Sequence, residues 1–399
     1  MTKPGLNINF NQKKMTFSYS KSIVFVLFCL VCFAGCVEPY DQSFRTSNKI
    51  IIIEGLLSNS TGLSPITIKE SLPSASGGSN ITLIVGAKVS VIINSKTTLT
   101  LTEKQDGQYA FDSNFKGEIG STYQLKFTTP DGNTFESAIE KLEDVSPIAK
   151  VYHQLDTEAI KDVKGNTTPG YKIYIDTNDP TNIENQYLWA WTLFEKQNVC
   201  QTCTGGYYYR TPAPNGACVD DALLKRYNNI FDYFCEGSCW EIIRSIDLVA
   251  NSDEFYNGKT IKGQLVGTIP IYQSTAALLE VSQYAISPQA FKFIKLSQQQ
   301  GIETGGLADT PPAALIGNVT CVNDPTINTS GYFIVGGKTT SRYWLDKKDV
   351  VDQRIQTVGL LGGRSVKYEP SGPNTTRPPL APCIQSYNRT NQQPLGWIN

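Results

Sequence analysis

The chain has 399 residues, with 35 Lys and Arg against 36 Asp and Glu and a formal net charge of −1. No basic run or basic amphipathic helix stands out, so nucleic acid is not expected as a partner. The single histidine, His153, excludes a metal site built from several histidines and would have to serve in any Ser-His-Asp or Cys-His pair.

The N-terminus has the pattern of a secretory signal. Its apolar run over residues 23–34 suits the apolar region of a signal, roughly 7–15 residues, and is too short for a membrane span of about 20. The run ends in "FAGC" at Cys36, which resembles the lipobox of bacterial lipoproteins, where the chain is cut before the cysteine and the thiol is acylated. We therefore expect a signal peptide over residues 1–35 and a lipidated tether over residues 36–47, anchored through Cys36. An ordinary cleaved signal is the alternative.

Residues 48–146 have the pattern of a β-sandwich. "AKVSVIIN" alternates apolar and polar residues, as a strand with one buried face does. Further short strands, such as "TYQLKFTT", are separated by turn signals at Asp106-Gly107 and Asp131-Gly132. This spacing indicates an antiparallel sandwich of immunoglobulin-like or transthyretin-like type. Such modules serve more often as spacers or binding platforms than as enzymes.

Residues 147–399 predict a second antiparallel β domain, with a cysteine-rich insertion over residues 199–240. His153 lies in "VYHQLD", a strand-like stretch, which favours an ordinary surface or half-buried histidine over a catalytic one. A Ser-Pro pair before "QAFKFIKLSQQQG" supplies an N-cap and a first helical residue, so a helix is expected over about 288–300.

The cysteines allow two interpretations. Cys29 and Cys32 are removed with the signal, and thiolates in close pairs within the insertion are compatible with zinc. An exported chain meets an oxidising compartment, so disulfides are favoured and neither a metal nor another cofactor is expected. The candidate disulfide cysteines are Cys200, Cys203, Cys218, Cys235, Cys239, Cys321 and Cys383. Since they number seven, at least one is free or pairs between chains, and spacing leaves the connectivity open.

The acidic residues give weaker functional signals. Asp220-Asp221 and Asp253-Glu254 are adjacent pairs, but glycoside hydrolysis needs two carboxylates roughly 5–9 Å apart across a cleft. Adjacent acids in polar loops are usually solvated. Residues 176–182, "DTNDPTN", offer oxygen donors for Ca²⁺ but lack the glycine and distal glutamate of an EF-hand loop. A turn held by Asx hydrogen bonds is therefore favoured. The "LGGR" segment lacks the strand-turn-helix context of a phosphate-binding loop.

Ordered motifs run through the whole chain: "CVEPYD", "IIIEGLLSN", "VGAKVSVI", "GSTYQLKFTTPDGNTFES", "SCWEIIRSIDL", "SQYAISPQAFKFIKLSQQQ", "GGLADTPPAALIGNV" and "SGYFIVGG". In this order they resemble a family of Gram-negative outer-membrane lipoproteins, domain of unknown function 4249. The ending, "PPLAPCIQ" then "RTNQQPLGW", is similar to the family's cysteine and Pro-x-Trp tail but is one residue longer. The resemblance implies an envelope location and often a TonB-dependent transporter nearby. It supplies no catalytic residues.

These features predict a non-enzymatic, lipid-anchored outer-membrane protein that binds or assists an envelope partner, with a TonB-dependent transporter as one candidate. The alternative is a surface lipoprotein that binds carbohydrate or peptide, and a third hypothesis is a hydrolase that uses Asp220, Asp221 or Asp253. The candidate ligand-stacking rings are Trp189, Trp191, Tyr207, Tyr208, Tyr209 and Trp240. For the first two of these, core packing is the favoured interpretation.

Overall fold

The computed structural model describes residues 49–73, 79–162, 164–181, 184–211, 215–254, 256–302, 315–370 and 377–398. The predicted signal peptide, the tether and the lipidation site Cys36 lie outside these ranges. Strands dominate the described part of the chain, with three helices, which confirms the predicted mainly β fold. No helix in these ranges is long and apolar enough to cross a membrane.

The strands and helices follow one another along the chain. The strands that precede residue 142 are β1 (Ile50–Leu57), β2 (Ile66–Pro73), β3 (Ser79–Leu83), β4 (Lys88–Ile93), β5 (Thr97–Thr100), β6 (Thr102–Gln105), β7 (Gln108–Ala110), β8 (Thr122–Thr128), β9 (Thr134–Ser137) and β10 (Glu140–Lys141). The next strands are β11 (Ile148–Lys161), β12 (Thr167–Asn178), β13 (Gln186–Lys196), β14 (Val199–Thr204), β15 (Gly206–Tyr209), β16 (Ala217–Asp220), β17 (Ile230–Glu236), β18 (Trp240–Arg244), β19 (Val249–Ser252), β20 (Thr260–Pro270) and β21 (Ala277–Ile286). The last strands are β22 (Val319–Cys321), β23 (Asn328–Val335), β24 (Gly337–Leu345), β25 (Ala381–Pro382) and β26 (Arg389–Thr390). The helices are α1 (Ala222–Arg226), α2 (Pro288–Ile302) and α3 (Lys348–Asp352).

Two sheets enclose the first hydrophobic core. Sheet A has the order β23-β1-β2-β7-β6 with β3 on β2, and sheet B has the order β22-β9-β8-β4-β5 with β10 on β8. In β8, Tyr123, Leu125 and Phe127 are buried while the residues between them are half-buried, as a period of two requires. The predicted turn at Asp106-Gly107 joins β6 to β7 in an antiparallel hairpin.

Two strands from late in the sequence belong to this first core. β23 pairs in parallel with β1 along the full length of both strands, and β22 pairs antiparallel with β9. Phe333 and Val335 of β23 are buried in the same cluster as the side chains of β1. Strands from both sides of the predicted boundary at residue 146 therefore share the first core, and residues 48–399 group as one unit.

Sheets C and D enclose the second core. Sheet C has the order β11-β12-β20, and sheet D has the order β24-β21-β13-β18-β26 with β19 also on β13. Strand β13 divides its side chains between two clusters: Trp189 and Leu193 face the second core, and Leu188 packs with α2 on the other face. Because side chains alternate between the two faces of a strand, one face of β13 packs in the second core and the other face packs against α2.

Helix α2 lies close to its predicted bounds. The Ser287 hydroxyl accepts a hydrogen bond from the Ala290 N–H at 3.2 Å, as an N-cap does. Ala290 and Ile294 are buried in a third cluster with side chains of β13, β21 and β23. The helix therefore packs on strands that belong to sheets A and D. Helices α1 and α3 are short and were not predicted.

The cysteine-rich insertion has a small core of its own, which includes Tyr208 and Tyr233. Its strands β14 and β17 form a sheet with β25, which comes from late in the chain, and β15 and β16 form a hairpin. Cys200–Cys235 and Cys203–Cys218 are disulfides within the insertion, and Cys239–Cys383 links it to the segment that follows β25. The predicted disulfides are confirmed, and the zinc alternative loses its ligands because these sulfurs are bonded in pairs. Cys321 is the odd cysteine, free and buried in the first core.

Candidate functional site

An open cleft of about 620 Å³ lies between sheets C and D. The lining residues come from the end of β11, from β20 and from the turn that joins β18 to β19. Among the described strands, β20 pairs with β12 alone, which makes it an edge strand of sheet C. The volume is within the range of ligand pockets, about 300–1,000 Å³.

Trp191 forms the aromatic floor of the cleft. Its backbone N–H donates to the Ser245 hydroxyl at 3.1 Å, and its carbonyl accepts from the Ser245 N–H at 2.9 Å. A Cβ atom on Gly267 would lie 2.6 Å from Cδ1 of the indole and closer still to Nε1. The absence of a side chain on this residue of β20 therefore lets the indole lie against the strand. Trp191 is 9% exposed, so its ring offers a ligand little of its surface.

The walls and rim of the cleft are largely apolar. Ile243, Val249 and Tyr272 are partly buried against the second core. Leu265 of β20 is exposed, and Ile246, in the turn after β18, is 95% exposed. A single exposed isoleucine is ordinary. Here it stands at the mouth of a concave apolar surface, where an incoming apolar group would cover it.

Three charged side chains line the same cleft: Lys161, Arg244 and Asp247. The Arg244 guanidinium lies 4.0 Å from the centre of the Tyr387 ring and donates to the carbonyl of that residue at 2.8 Å. It is thereby held in place while keeping its charge. With two cations against one carboxylate, the rim favours an anionic or acidic group.

A second cavity, of about 680 Å³, continues from the first. Ile246, Asp247 and Val249 line both, and the second also touches Phe293 and Ile294 of α2. The turn that joins β18 to β19 therefore lies between the cleft and the second cavity. An extended segment several residues long fits this arrangement better than a compact small molecule does.

The candidate stacking rings are scattered. Trp189 and Tyr208 are buried, with Nε1 of Trp189 donating to Gln283 at 2.8 Å, and Trp240 is also buried and packs edge-on against Trp397. Trp189 and Tyr208 lie in hydrophobic cores, and all three rings are too deeply buried to present an open face. Only Trp191 lies in the cleft.

Tyr207 and Tyr209 lie elsewhere, on the cysteine-rich insertion. The Arg377 guanidinium is 5.1 Å from the first ring and 4.4 Å from the second. Tyr209 is 41% exposed. A cation already lies over one face of each ring, which leaves less aromatic surface for a sugar.

The candidate hydrolytic acids do not share a cleft. Asp220 forms an exposed ion pair with Lys225, 2.6 Å between Oδ2 and Nζ. Asp221 caps α1 by accepting from the N–H groups of Leu223 and Leu224. Asp253 is buried at the end of β19, whereas the adjacent Glu254 is exposed. Each of the first two carboxylates thus has a structural partner.

His153 is half-buried, in a polar cluster outside the cleft. Its Nδ1 lies 2.9 Å from the Tyr343 hydroxyl, and its Nε2 lies 3.8 Å from Oδ2 of Asp349. Its ring also meets Tyr171 edge-on, 4.7 Å between centroids. This agrees with the interpretation of an ordinary half-buried histidine.

Sequence reasoning missed most of the cleft. Gly267, Tyr272 and Leu265 come from β20 and the residues after it, and they join the cleft only because sheets C and D face each other. One signal was present in the sequence: "RSIDLV" places Ile246 between polar residues in a turn, where an isoleucine is exposed.

Comparison with known proteins identifies one family. The family model described as "Domain of unknown function (DUF4249)" matches residues 37–342. No curated protein and no solved structure matches the chain. The matched span reaches from the residue after Cys36 into β24, so it includes the first core, the cleft and all the buried residues of the second core except Leu345 and Val350.

Proposed function

Because this chain belongs to the DUF4249 family, whose description names no activity, we propose its function from the cleft: a non-enzymatic outer-membrane lipoprotein that binds a protein partner. The occupant of the cleft is an extended segment of that partner, with an apolar side chain for the cavity and an acidic group for the rim. A TonB-dependent transporter is the partner that the resemblance implies.

One observation carries this proposal, the concave apolar surface around Trp191 and Ile246. Ligand sites combine apolar walls with a few placed polar groups, and binding energy concentrates where aromatic and apolar side chains are desolvated. The cleft has apolar walls formed by Ile243 and Leu265, and Arg244 supplies a fixed cation at the rim. An apolar segment entering it would remove the exposed side chain of Ile246 from water.

The same geometry supports a peptide better than a sugar. A sugar ring stacks on an exposed aromatic face. The indole of Trp191 lies against Gly267, and only 9% of the residue is exposed, so little of the ring is accessible to a sugar. The adjoining cavity at α2 gives a peptide room to continue.

Binding is also a better match to the lining groups than catalysis. Among the described lining residues, Asp247 supplies the one carboxylate, and histidine and cysteine are absent. Ser245 Oγ accepts from the Trp191 N–H and has no lining base to activate it. Two facing carboxylates or a nucleophile with its base would be needed for hydrolysis.

The anchor and the tether complete the proposal. An acylated Cys36 followed by a short tether would hold the folded part near the membrane surface, where an outer-membrane partner is within reach. A Cys36→Ser variant should be released from the membrane fraction, while the fold remains intact because residue 36 precedes every described strand. Mass spectrometry of the N-terminal peptide should find acyl chains on Cys36 of the unaltered protein.

Affinity purification of the intact acylated protein from membranes tests the partner. The unaltered chain should recover an outer-membrane β-barrel, and Ile246→Asp should lose it because a charge then stands in the apolar mouth. Ile81→Asp, an exposed apolar position on β3, is the matched control and should retain the partner. Equal recovery with both variants, or binding on a glycan array without any protein partner, would overturn the proposal.

A further inference from the structure

Two carboxylates meet at one end of sheets C and D. Asp179 follows β12 and is 7% exposed, and Asp253 follows β19 and is 0% exposed. Asn185, just before β13, donates to both: its side chain to Oδ1 of Asp179 at 3.4 Å and its backbone N–H to Oδ2 of Asp253 at 2.9 Å. Residues far apart in sequence thus form one buried acidic site.

Asp179 is fixed in position by hydrogen bonds from its neighbours. Its Oδ1 also accepts from the Tyr187 hydroxyl at 2.6 Å, and its Oδ2 accepts from the Gly258 N–H at 2.9 Å. A carboxylate has about four lone-pair sites, so this group keeps acceptor capacity beyond its donors. Three donors fix its orientation.

Asp253 is less well satisfied. Its Oδ1 is buried and has no hydrogen-bond donor, although it belongs to a carboxyl group within hydrogen-bonding range of Asp179. Two buried carboxylates side by side repel each other, so the site needs a positive charge between them.

We propose that Asp179 and Asp253 bind a Ca²⁺ ion at the end of sheets C and D. Calcium takes oxygen ligands in irregular geometry, and both groups here offer carboxylate oxygen. The unpartnered Oδ1 of Asp253 is the atom that requires a ligand. Magnesium suits the site less well, because it demands near-octahedral geometry and gives up its waters reluctantly.

The ion has a structural consequence. Asp179 extends from sheet C and Asp253 from sheet D, so one ion would link the two sheets that enclose the second core. The "DTNDPTN" run, considered alone, does not form the site: Asp176 accepts from the Gly263 N–H at 2.9 Å instead. The second carboxylate comes from the "NSDEF" segment about 75 residues further along, counted from positions 179 and 253.

The test uses the full acylated chain in detergent, first treated with EGTA. Calorimetric titration with Ca²⁺ should show saturable binding of one ion per chain, and Ca²⁺ above the range of about 10⁻⁴–10⁻³ M typical of extracellular modules should raise Tm. Asp253→Asn should lose both effects, because it keeps the shape and the Asn185 bond but not the charge. Asp220→Asn, which removes an exposed carboxylate, is the matched control and should keep both effects.

A second measurement requires no variant. Tb³⁺ replaces Ca²⁺ in oxygen sites, and Tyr187 is bonded to Asp179, so Tb³⁺ luminescence excited through aromatic rings should appear and should disappear when Ca²⁺ is added. Absence of saturable binding in both experiments would overturn the proposal. A higher Tm for Asp253→Asn than for the unaltered chain, in EGTA and in Ca²⁺ alike, would overturn it too, since that result means that Ca²⁺ does not stabilise the carboxylate pair.

Discussion

Lys347 and Glu195 form an ion pair inside the second core, with Nζ 2.5 Å from Oε1 and with side chains that are 2% and 0% exposed. The ammonium group also donates to the Gln273 carbonyl at 3.0 Å. The pair links the end of β13 to the residue that precedes α3. Because both side chains are buried, each charge depends on the other for its compensation.

Removing one partner of this pair should be costly. Lys347→Met leaves the Glu195 carboxylate buried without its cation, and we expect a loss of about 3–5 kcal/mol in the free energy of unfolding. The double variant Lys347→Met with Glu195→Leu should recover most of that loss, because no charge then remains buried. Urea denaturation of the two variants checks this. A double variant no more stable than Lys347→Met would contradict it.

The ion pair of Asp232 and Arg364 should account for part of the loss of folding stability at acid pH. Their groups pair through two hydrogen bonds, of 2.6 and 2.7 Å. Burial acts to raise the pKa of Asp232, but hydrogen bonds from Arg364, the Lys367 N–H and Thr202 outweigh it and lower the pKa to about 2. Arg364 is the last residue of the "LGGR" segment. Its guanidinium donates to the Asp232 carboxylate and is therefore not free to bind a phosphate.

The sign of the pH effect follows from the lowered pKa. The pairing stabilises the fold above the unfolded pKa of about 3.9 and is lost as pH falls toward 2, a change of about 2–3 kcal/mol. Between pH 5 and pH 2 the unaltered protein should therefore lose more stability than Asp232→Asn does. Urea denaturation across this range measures the difference. Asp220→Asn, at an exposed acid, should behave as the unaltered protein does.

The disulfides should differ in how much each contributes to the stability of the fold. Cys239–Cys383 closes a separation of 144 residues and Cys203–Cys218 one of 15. Since the entropy removed from the unfolded chain grows with loop length, replacing the first pair by alanine should cost about 1–2 kcal/mol more than replacing the second. Thermal unfolding of both variants checks the order. Cys321→Ala serves as control for loss of an unbonded sulfur.

Gly267 should be required for the floor of the cleft. Gly267→Ala places a Cβ against the Trp191 indole, so the ring must shift, and we expect a loss of about 1–3 kcal/mol from overpacking together with a change in tryptophan fluorescence. Adding Trp191→Ala to the same chain removes both crowded atoms, Cδ1 and Nε1. If the double variant is as unstable as the sum of its single changes, the crowding argument fails.

Part of the fold was readable from short stretches of sequence. Period-two alternation in "TYQLKFT" gave β8, and the Ser-Pro pair gave the start of α2, because both signals act within a few residues. The return of β22 and β23 to the first core carried no local signal. Their pairing with β9 and β1 joins positions far apart in the chain, and a strand pattern does not specify its partner.

The candidate sites divide in the same way. Cysteine content and the export signal predicted disulfides, since oxidation depends on the compartment, but the pairing had to come from which strands meet. The tryptophans of β13 were recognised as core or ligand candidates, and alternation alone could not separate them. Trp189 is enclosed while Trp191 reaches the cleft, because only the second lies under the edge strand β20.

The sequence by itself determined that this chain is rich in strands, carries cysteines for disulfide bonds and belongs with a recognisable set of ordered motifs, since each of these depends on composition or on near neighbours. The tertiary structure alone decided where the chain has a cleft and where Asp179 meets Asp253. A cleft needs two surfaces and a buried acidic pair needs two loops. Both arise only when sheets C and D close over a shared core.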